Sequence, residues 1–495
     1  MDGIHVLKIT AAVVARSWAE YVASFLSSMV GGSHGDFWRN LVKLPIPLTN
    51  YTCSPLSIVI VVISTAILLC GVQESTRFNN IMTMFNIAVL SCAVLIPLLT
   101  ESAHVENLTP YLPNGITGMS SGAAVLFFSY IGFDMVACLS EEVINPKVNM
   151  PLGIIGSLFC SMTIYVIVAF AVVAMAPIPF LGPNVPISNG MLANACCSMD
   201  QMTQYLSTPE TCLNPDCYPL NHPLLLYSSR FISGGAIFGL TTAAFTSMMG
   251  QPRIAYRIAK DGLLPPIFAK VNSQTQVPTF GILFNGWVVG ILACFFNLDA
   301  LANTISLLVL LIFTFVNAAV IILRFQPGVD SLEIEYGVSE VSPLKEGKNV
   351  VSNHTDYSMH IHTSILTICI TIVSLLQTTS KLAVLLYPFL ILSLISFLAI
   401  FIKMSCQPTQ TSTQTFQCPC VPLIPTLGII SNAWMMGSLP IYSWIFVIAF
   451  LVSGLAFYFL YGIHHSDLGV EKDRGVSVDT DEVSAFSSYS YTEQK

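Results

Sequence analysis

Residues 121–135 read Ser121-Gly-Ala-Ala-Val-Leu-Phe-Phe-Ser-Tyr-Ile-Gly-Phe-Asp-Met135, an apolar run with Gly132 and Asp134 set inside it. A carboxylate at membrane depth costs about 3 kcal/mol unless it is paired or wetted, so a functional site is the default reading of Asp134. Gly132 beside it lets a helix open. A helix broken near the midplane exposes unpaired carbonyls on the half that ends there and unpaired amides on the half that begins there. These suit the ammonium and the carboxylate of an amino acid. The same two residues also fit a plainer role, Gly132 admitting a close neighbour and Asp134 bonding to another helix.

The rest of the chain supplies the setting. Of 495 residues, 54% are hydrophobic and only 9% charged, with a mean hydropathy of +0.72. A soluble domain carries about a quarter charged residues, so this chain cannot cover a water-facing surface and reads as a membrane protein. The net charge of -8 and the absence of any basic tract argue against nucleic acid as a partner. No cleavable signal peptide is evident. About twelve segments approach the length of a spanning helix. They are 9–30, 56–72, 80–99, 121–139, 152–176, 228–250, 279–296, 301–323, 364–380, 382–402, 421–437 and 441–463.

Alternating the loops puts Arg77, Lys147, Arg253, Arg257, Lys260, Lys270 and most later Lys and Arg on one side, and Arg39, Lys43, Arg230 and Lys381 on the other. The first side is cytoplasmic by the positive-inside rule, and both termini face it. Asn50 and Asn107, each in an Asn-x-Thr triplet, then fall outside as glycan acceptors, and Asn353 falls inside and bare. Cys196, Cys197, Cys212 and Cys217 crowd one outside loop, where one or two disulfides are expected. Their spacing is not that of a zinc knuckle. Cys406, Cys418 and Cys420 lie on the cytoplasmic side as thiols or palmitoylation sites.

Two other pairs look chemical and are read otherwise. Glu141-Glu142 sits beside Asn145-Pro146, a helix-stop signal, and reads as a loop anchor for Arg253 or Lys260. His464-His465 lies at the last membrane boundary with no further metal ligand at suitable spacing. No nucleophile, base and orienter recur together, so an enzyme is not expected, and neither is a cofactor or metal.

Several blocks resemble the cationic amino acid transporter family of the amino acid/polyamine/organocation superfamily. Phe127-Phe-Ser-Tyr-Ile-Gly-Phe-Asp134, Ser140-Glu-Glu-Val-Ile-Asn-Pro146 and Pro151-Leu-Gly-Ile are similar to its sixth helix and the following loop. Pro252-Arg-Ile-Ala-Tyr256, Asp261-Gly-Leu-Leu264, Val277-Pro-Thr279 and Leu323-Arg-Phe-Gln-Pro327 follow in the family's order, as do Val421-Pro-Leu-Ile-Pro425 and Tyr461-Gly-Ile-His-His-Ser466. Ala15-Arg-Ser-Trp18 resembles the end of its third helix.

The resemblance implies an all-α polytopic membrane protein with the inverted-repeat (LeuT-like) amino acid transporter fold, lacking the first two family helices. It implies that main-chain carbonyls of Phe128, Ser129 and Ile131 hold the substrate amino group and that Gly132 supplies the break; Asp134, singled out by its charge in the apolar run, is assigned to the same substrate site. Asn86 stands where proton-coupled relatives carry lysine, which favours facilitated, potential-driven movement; an ordinary interhelical hydrogen bond is the alternative. Ile305-Ser-Leu-Leu-Val-Leu310 departs from the family pattern by losing a glycine.

The expected organisation is a remnant of the first repeat over 1–110 and a second repeat over 111–325. A cytoplasmic linker at 326–363, a four-helix extension at 364–465 and a disordered tail at 466–495 complete it. The expected function is transport of amino acids, most of all arginine, lysine and ornithine, by alternating access at the plasma membrane. The partners are then the amino acid and the lipid bilayer, with homo-oligomers left open. A non-transporting isoform that regulates full-length transporters is the other reading.

Overall fold

The computed structural model describes residues 2–30, 32–45, 52–71, 76–132, 143–182, 185–198, 223–275, 277–325, 418–421 and 423–466, with isolated residues 202, 391, 395 and 402. Asp134, Asn50, Cys212, Cys217, Glu141 and Glu142 lie outside them, as do nearly all of segments 364–380 and 382–402, the linker and the tail.

Among the described residues the elements run α1 (Asp2–Val30), α2 (Gly32–Val42), β1 (Leu44–Pro45), β2 (Thr52–Cys53), α3 (Pro55–Leu69), α4 (Thr76–Leu99) and α5 (Gly115–Leu126). Then come α6 (Pro146–Met175), α7 (Pro186–Cys196), α8 (Pro223–Lys260), α9 (Thr279–Phe295), α10 (Leu298–Phe325), α11 (Leu423–Gly437) and α12 (Ile441–Phe457). The two strands form one small antiparallel hairpin, with Leu44 opposite Cys53 and Pro45 opposite Thr52. Among the described residues, five helices are long and apolar enough to cross a membrane: Asn80–Leu99, Pro146–Met175, Leu224–Lys260, Leu298–Ile321 and Ile441–His465. α3, α9 and α11 are shorter apolar helices. This is an all-α, multi-pass membrane architecture.

Two boundaries differ from the hydropathy reading for the same reason. Asn145 sits at φ 52 and Pro146 opens α6 at its first helical turn, where a missing N–H costs nothing, so the stop signal is equally a start. α8 continues past residue 250 through Pro252 to Lys260. Hydropathy marks the part of a helix that leaves water; intrahelical hydrogen bonds go on beyond it.

Burial sorts the helices. Half of the central window of α10 (50%) is buried, against 17% in α6 and 11% in α12. α10 is therefore a core helix, while the exposed Ile155, Phe159, Val166 and Phe170 of α6 present a lipid-facing flank. In lipid there is no hydrophobic drive between helices, so close packing needs small residues. α1 supplies Ala12, Ala15 and Ala19, all buried. α8 supplies Gly235 and Gly239 one turn apart. A Cβ on Gly235 would lie 2.5 Å from Val89, and one on Gly239 2.5 Å from Asn86 Oδ1, so α4 rests directly on the α8 backbone. α9 repeats the device against α3, with Gly286 on Thr65 and Gly290 facing Val61. Helices α1, α3, α8 and α9 contact one another in every pairing and form one packed unit.

Charge inside α1 meets tertiary partners, though Arg16 Nε is buried without a hydrogen bond. Arg16, 3% exposed, donates to the carbonyls of Val42 at 3.3 Å and Cys294 at 3.5 Å. Trp18 Nε1 donates to Thr241 Oγ1 at 2.9 Å, tying α1 to α8. The segment after α6 is built rather than loose: Phe180, Met191 and Ala193 are buried with Met175, and Asn194 Nδ2 donates to the carbonyls of Met175 (2.6 Å) and Gly190 (3.0 Å).

Candidate functional site: a broken helix at Phe127–Gly132

α5 ends at Leu126, tightens into a 3-10 turn over Phe127–Tyr130, and gives way to extended backbone at Ile131 (φ -65, ψ 133). Gly132 follows at φ +138, a conformation essentially reserved for glycine. A Cβ there would meet nothing within 4 Å, so the glycine is needed for its backbone angle, not for space. The helix thus stops within the apolar run, at the residue whose type suggested it.

The carbonyls of the turn have identifiable neighbours. The Phe128 carbonyl accepts the Ile131 N–H at 3.0 Å, and the Ser129 carbonyl faces the Tyr165 hydroxyl of α6 at 3.5 Å. A carbonyl can accept two hydrogen bonds. Four rings frame the turn, paired as Phe127 with Phe313 (5.7 Å between centroids, 67°) and Tyr130 with Tyr165 (5.7 Å, 58°). Ser306 of α10 donates to the Val125 carbonyl at 3.3 Å, just where the change from α to 3-10 geometry disturbs the α-helical pattern. Trp434 Nε1 of α11 donates to Ser120 Oγ at 2.7 Å. The broken segment therefore hangs on α10 and α11 while its far end leads to residues 133–142, which include Asp134 and lie outside the described residues.

The other expected residues are placed separately. Asn86 is set against Gly239 of α8, and α4 makes its main contacts with α8 and α6, so Asn86 and Phe128–Gly132 belong to different packing interfaces. Asn107 sits in a 3-10 turn (Val105–Leu108), and its Nδ2, the atom a glycan would join, donates to the Ala174 carbonyl at 3.0 Å. Cys196 and Cys197 are disulfide-bonded, and Cys212 and Cys217 fall outside the described residues.

Ser306 and Trp434 are the residues that sequence reasoning did not single out. Ser306 carried one signal, a hydroxyl inside Ile305–Leu310, the stretch flagged for its missing glycine. A second feature also went unread. A cavity of about 550 Å³ lies between α1, α8, α9 and α12, bordered by Lys8, Gln251, Asn285 and Phe284, with Lys8 Nζ 4.9 Å from the Phe284 ring centre. None of Phe128–Gly132 lines it.

Comparison with known proteins identifies the family. The amino acid permease family matches residues 5–193 and 227–338, and the C-terminus of that permease family matches 416–466. The chain is 28% identical over 480 residues to "Cationic amino acid transporter 3, mitochondrial" of Arabidopsis thaliana, covering 89% of this chain and 74% of the relative. It is 26% identical over 500 residues to "Cationic amino acid transporter 4" of Homo sapiens, covering 92% and 73%. It is 31% identical over 327 residues to "Methylthioribose transporter" of Bacillus subtilis (strain 168), covering 64% and 61%. The chain belongs to the amino acid permease family.

Proposed function

We propose that this chain moves cationic amino acids across a membrane by alternating access, as a facilitated carrier. The observation that carries the reading is that α5 ends through a tightened turn at Phe127–Gly132, so that its last carbonyls lie inside an apolar segment. Carbonyls of Phe128, Ser129 and Ile131 would receive the substrate ammonium, and Tyr130, Tyr165 and Phe127 would close over it. Asp134, two residues past the break, would supply the carboxylate for a cationic side chain. With Asn86 in place of a lysine there is no proton-binding amine at that position. The electrical driving force is then the substrate's own charge, about 2.3 kcal/mol per charge per 100 mV.

The plasma membrane is the proposed location; the similar plant proteins include ones named mitochondrial and vacuolar. The test is uptake of labelled arginine and leucine into cells expressing the chain, with surface labelling to measure delivery. Saturable arginine uptake competed by lysine supports the reading. Delivered protein with uptake equal to that of control cells refutes it.

A further inference from the structure

We propose that Cys53 and Cys294 form a disulfide that staples the external ends of α3 and α9. The hairpin β1–β2 delivers Cys53 to the start of α3, and Cys294 lies in the last turn of α9. The backbone already locks the two places together. Ser54 N–H donates to the Cys294 carbonyl at 2.9 Å, and Ser57 Oγ donates to the Ala293 carbonyl at 3.0 Å. The Arg16 guanidinium holds that same Cys294 carbonyl from α1. Cys53 directly precedes Ser54, so this backbone contact sets Cys53 and Cys294 side by side, both as thiols.

Compartment supports oxidation. Both cysteines sit at helix ends on the side assigned to Asn50 and Asn107, the side that also holds Cys196 and Cys197, which are disulfide-bonded. Of the other free cysteines described, Cys92 and Cys160 lie within helices α4 and α6, and Cys70, Cys418 and Cys420 lie on the cytoplasmic side. Cys294 is buried, at 6% exposure, while Cys53 is half-buried and gives access. The step is thiol–disulfide exchange with an oxidised protein dithiol of the secretory lumen. The Cys53 thiolate attacks that disulfide and releases one thiol. The Cys294 thiolate then attacks the mixed disulfide, forming the S–S bond and releasing the second thiol. Two electrons and two protons pass to the oxidant. Since α3 and α9 belong to one packed unit with α1 and α8, the bond stiffens that unit and does not tie down α5.

The inference rests on the topology, not on the transport reading, and stands or falls without an uptake assay. The full chain is expressed in secretory-competent cells, denatured in detergent with N-ethylmaleimide and no reductant, and mapped by mass spectrometry. The expected result is a cross-linked pair of peptides containing residues 53 and 294 that separates on reduction. In Cys53→Ser, Cys294 becomes alkylated without reductant. Alkylation of both cysteines in the unreduced, delivered protein overturns the inference. So does a Cys294 that resists alkylation in denatured Cys53→Ser, because its partner is then a different cysteine.

Discussion

Replacing Gly132 by valine isolates the backbone break from everything else in the molecule. At φ +138 any residue with a Cβ is strained, at about 1–3 kcal/mol. An added Cβ at Gly132 has no neighbour within 4 Å, so no steric clash adds to that cost. At about 1.4 kcal/mol per tenfold, the broken conformer loses roughly 5- to 150-fold in population relative to unstrained alternatives. The same cost is small against a net stability of about 5–15 kcal/mol, so the protein still folds and inserts. Gly132→Val is therefore expected to reach the surface in normal amount and to lose at least about fivefold in arginine uptake. Gly132→Ala should lose nearly as much, because the penalty follows φ and not side-chain volume. Surface biotinylation and initial-rate uptake measure the two quantities separately. Uptake within about twofold of the parent in the delivered alanine and valine variants would refute the assignment of the break to function.

Other expectations follow from single contacts. Gly235→Leu drives a side chain into Val89 where α4 lies on α8; overpacking of about 1–3 kcal/mol should lower the melting temperature in detergent, and an unchanged value would contradict the packing. Arg16→Met leaves the Val42 and Cys294 carbonyls without their charged donor, at about 1.5–3 kcal/mol, and should reduce surface delivery. Trp434→Phe removes the donor to Ser120 Oγ and should cost about 1 kcal/mol in thermal stability, with Ser120→Ala adding little on top of it in a double-mutant cycle. Fully additive losses would mean that the two residues do not interact.

The parts legible in the sequence are those set by local chemistry. Segments 80–99, 279–296 and 441–463 coincide with α4, α9 and α12 to within a few residues, because leaving water is a property of the segment itself. Gly132 was legible because φ +138 admits essentially one residue type. α1 was harder to read. Lys8, Arg16 and Glu20 weaken its hydropathy, yet it runs unbroken from Asp2 to Val30, with Lys8 over the Phe284 ring and Arg16 donating to two distant carbonyls. Two of these partners, Phe284 and Cys294, come from sequence positions hundreds of residues away. Ser306 on Val125 and Trp434 on Ser120 were hidden for the same reason. The glycine pairs 235/239 and 286/290 are visible as a spacing, but only the fold says that α4 and α3 lie on them.

The central claim is a carrier whose cargo supplies the charge. The most direct measurement is labelled arginine accumulation in liposomes containing the purified chain, with the membrane potential set by a potassium gradient and valinomycin. The predicted result is uptake that saturates, is competed by lysine, and rises as the interior is made negative, with no response to an imposed pH gradient. Arginine accumulation no greater than in protein-free liposomes, or uptake that follows the pH gradient and ignores the potential, would contradict it.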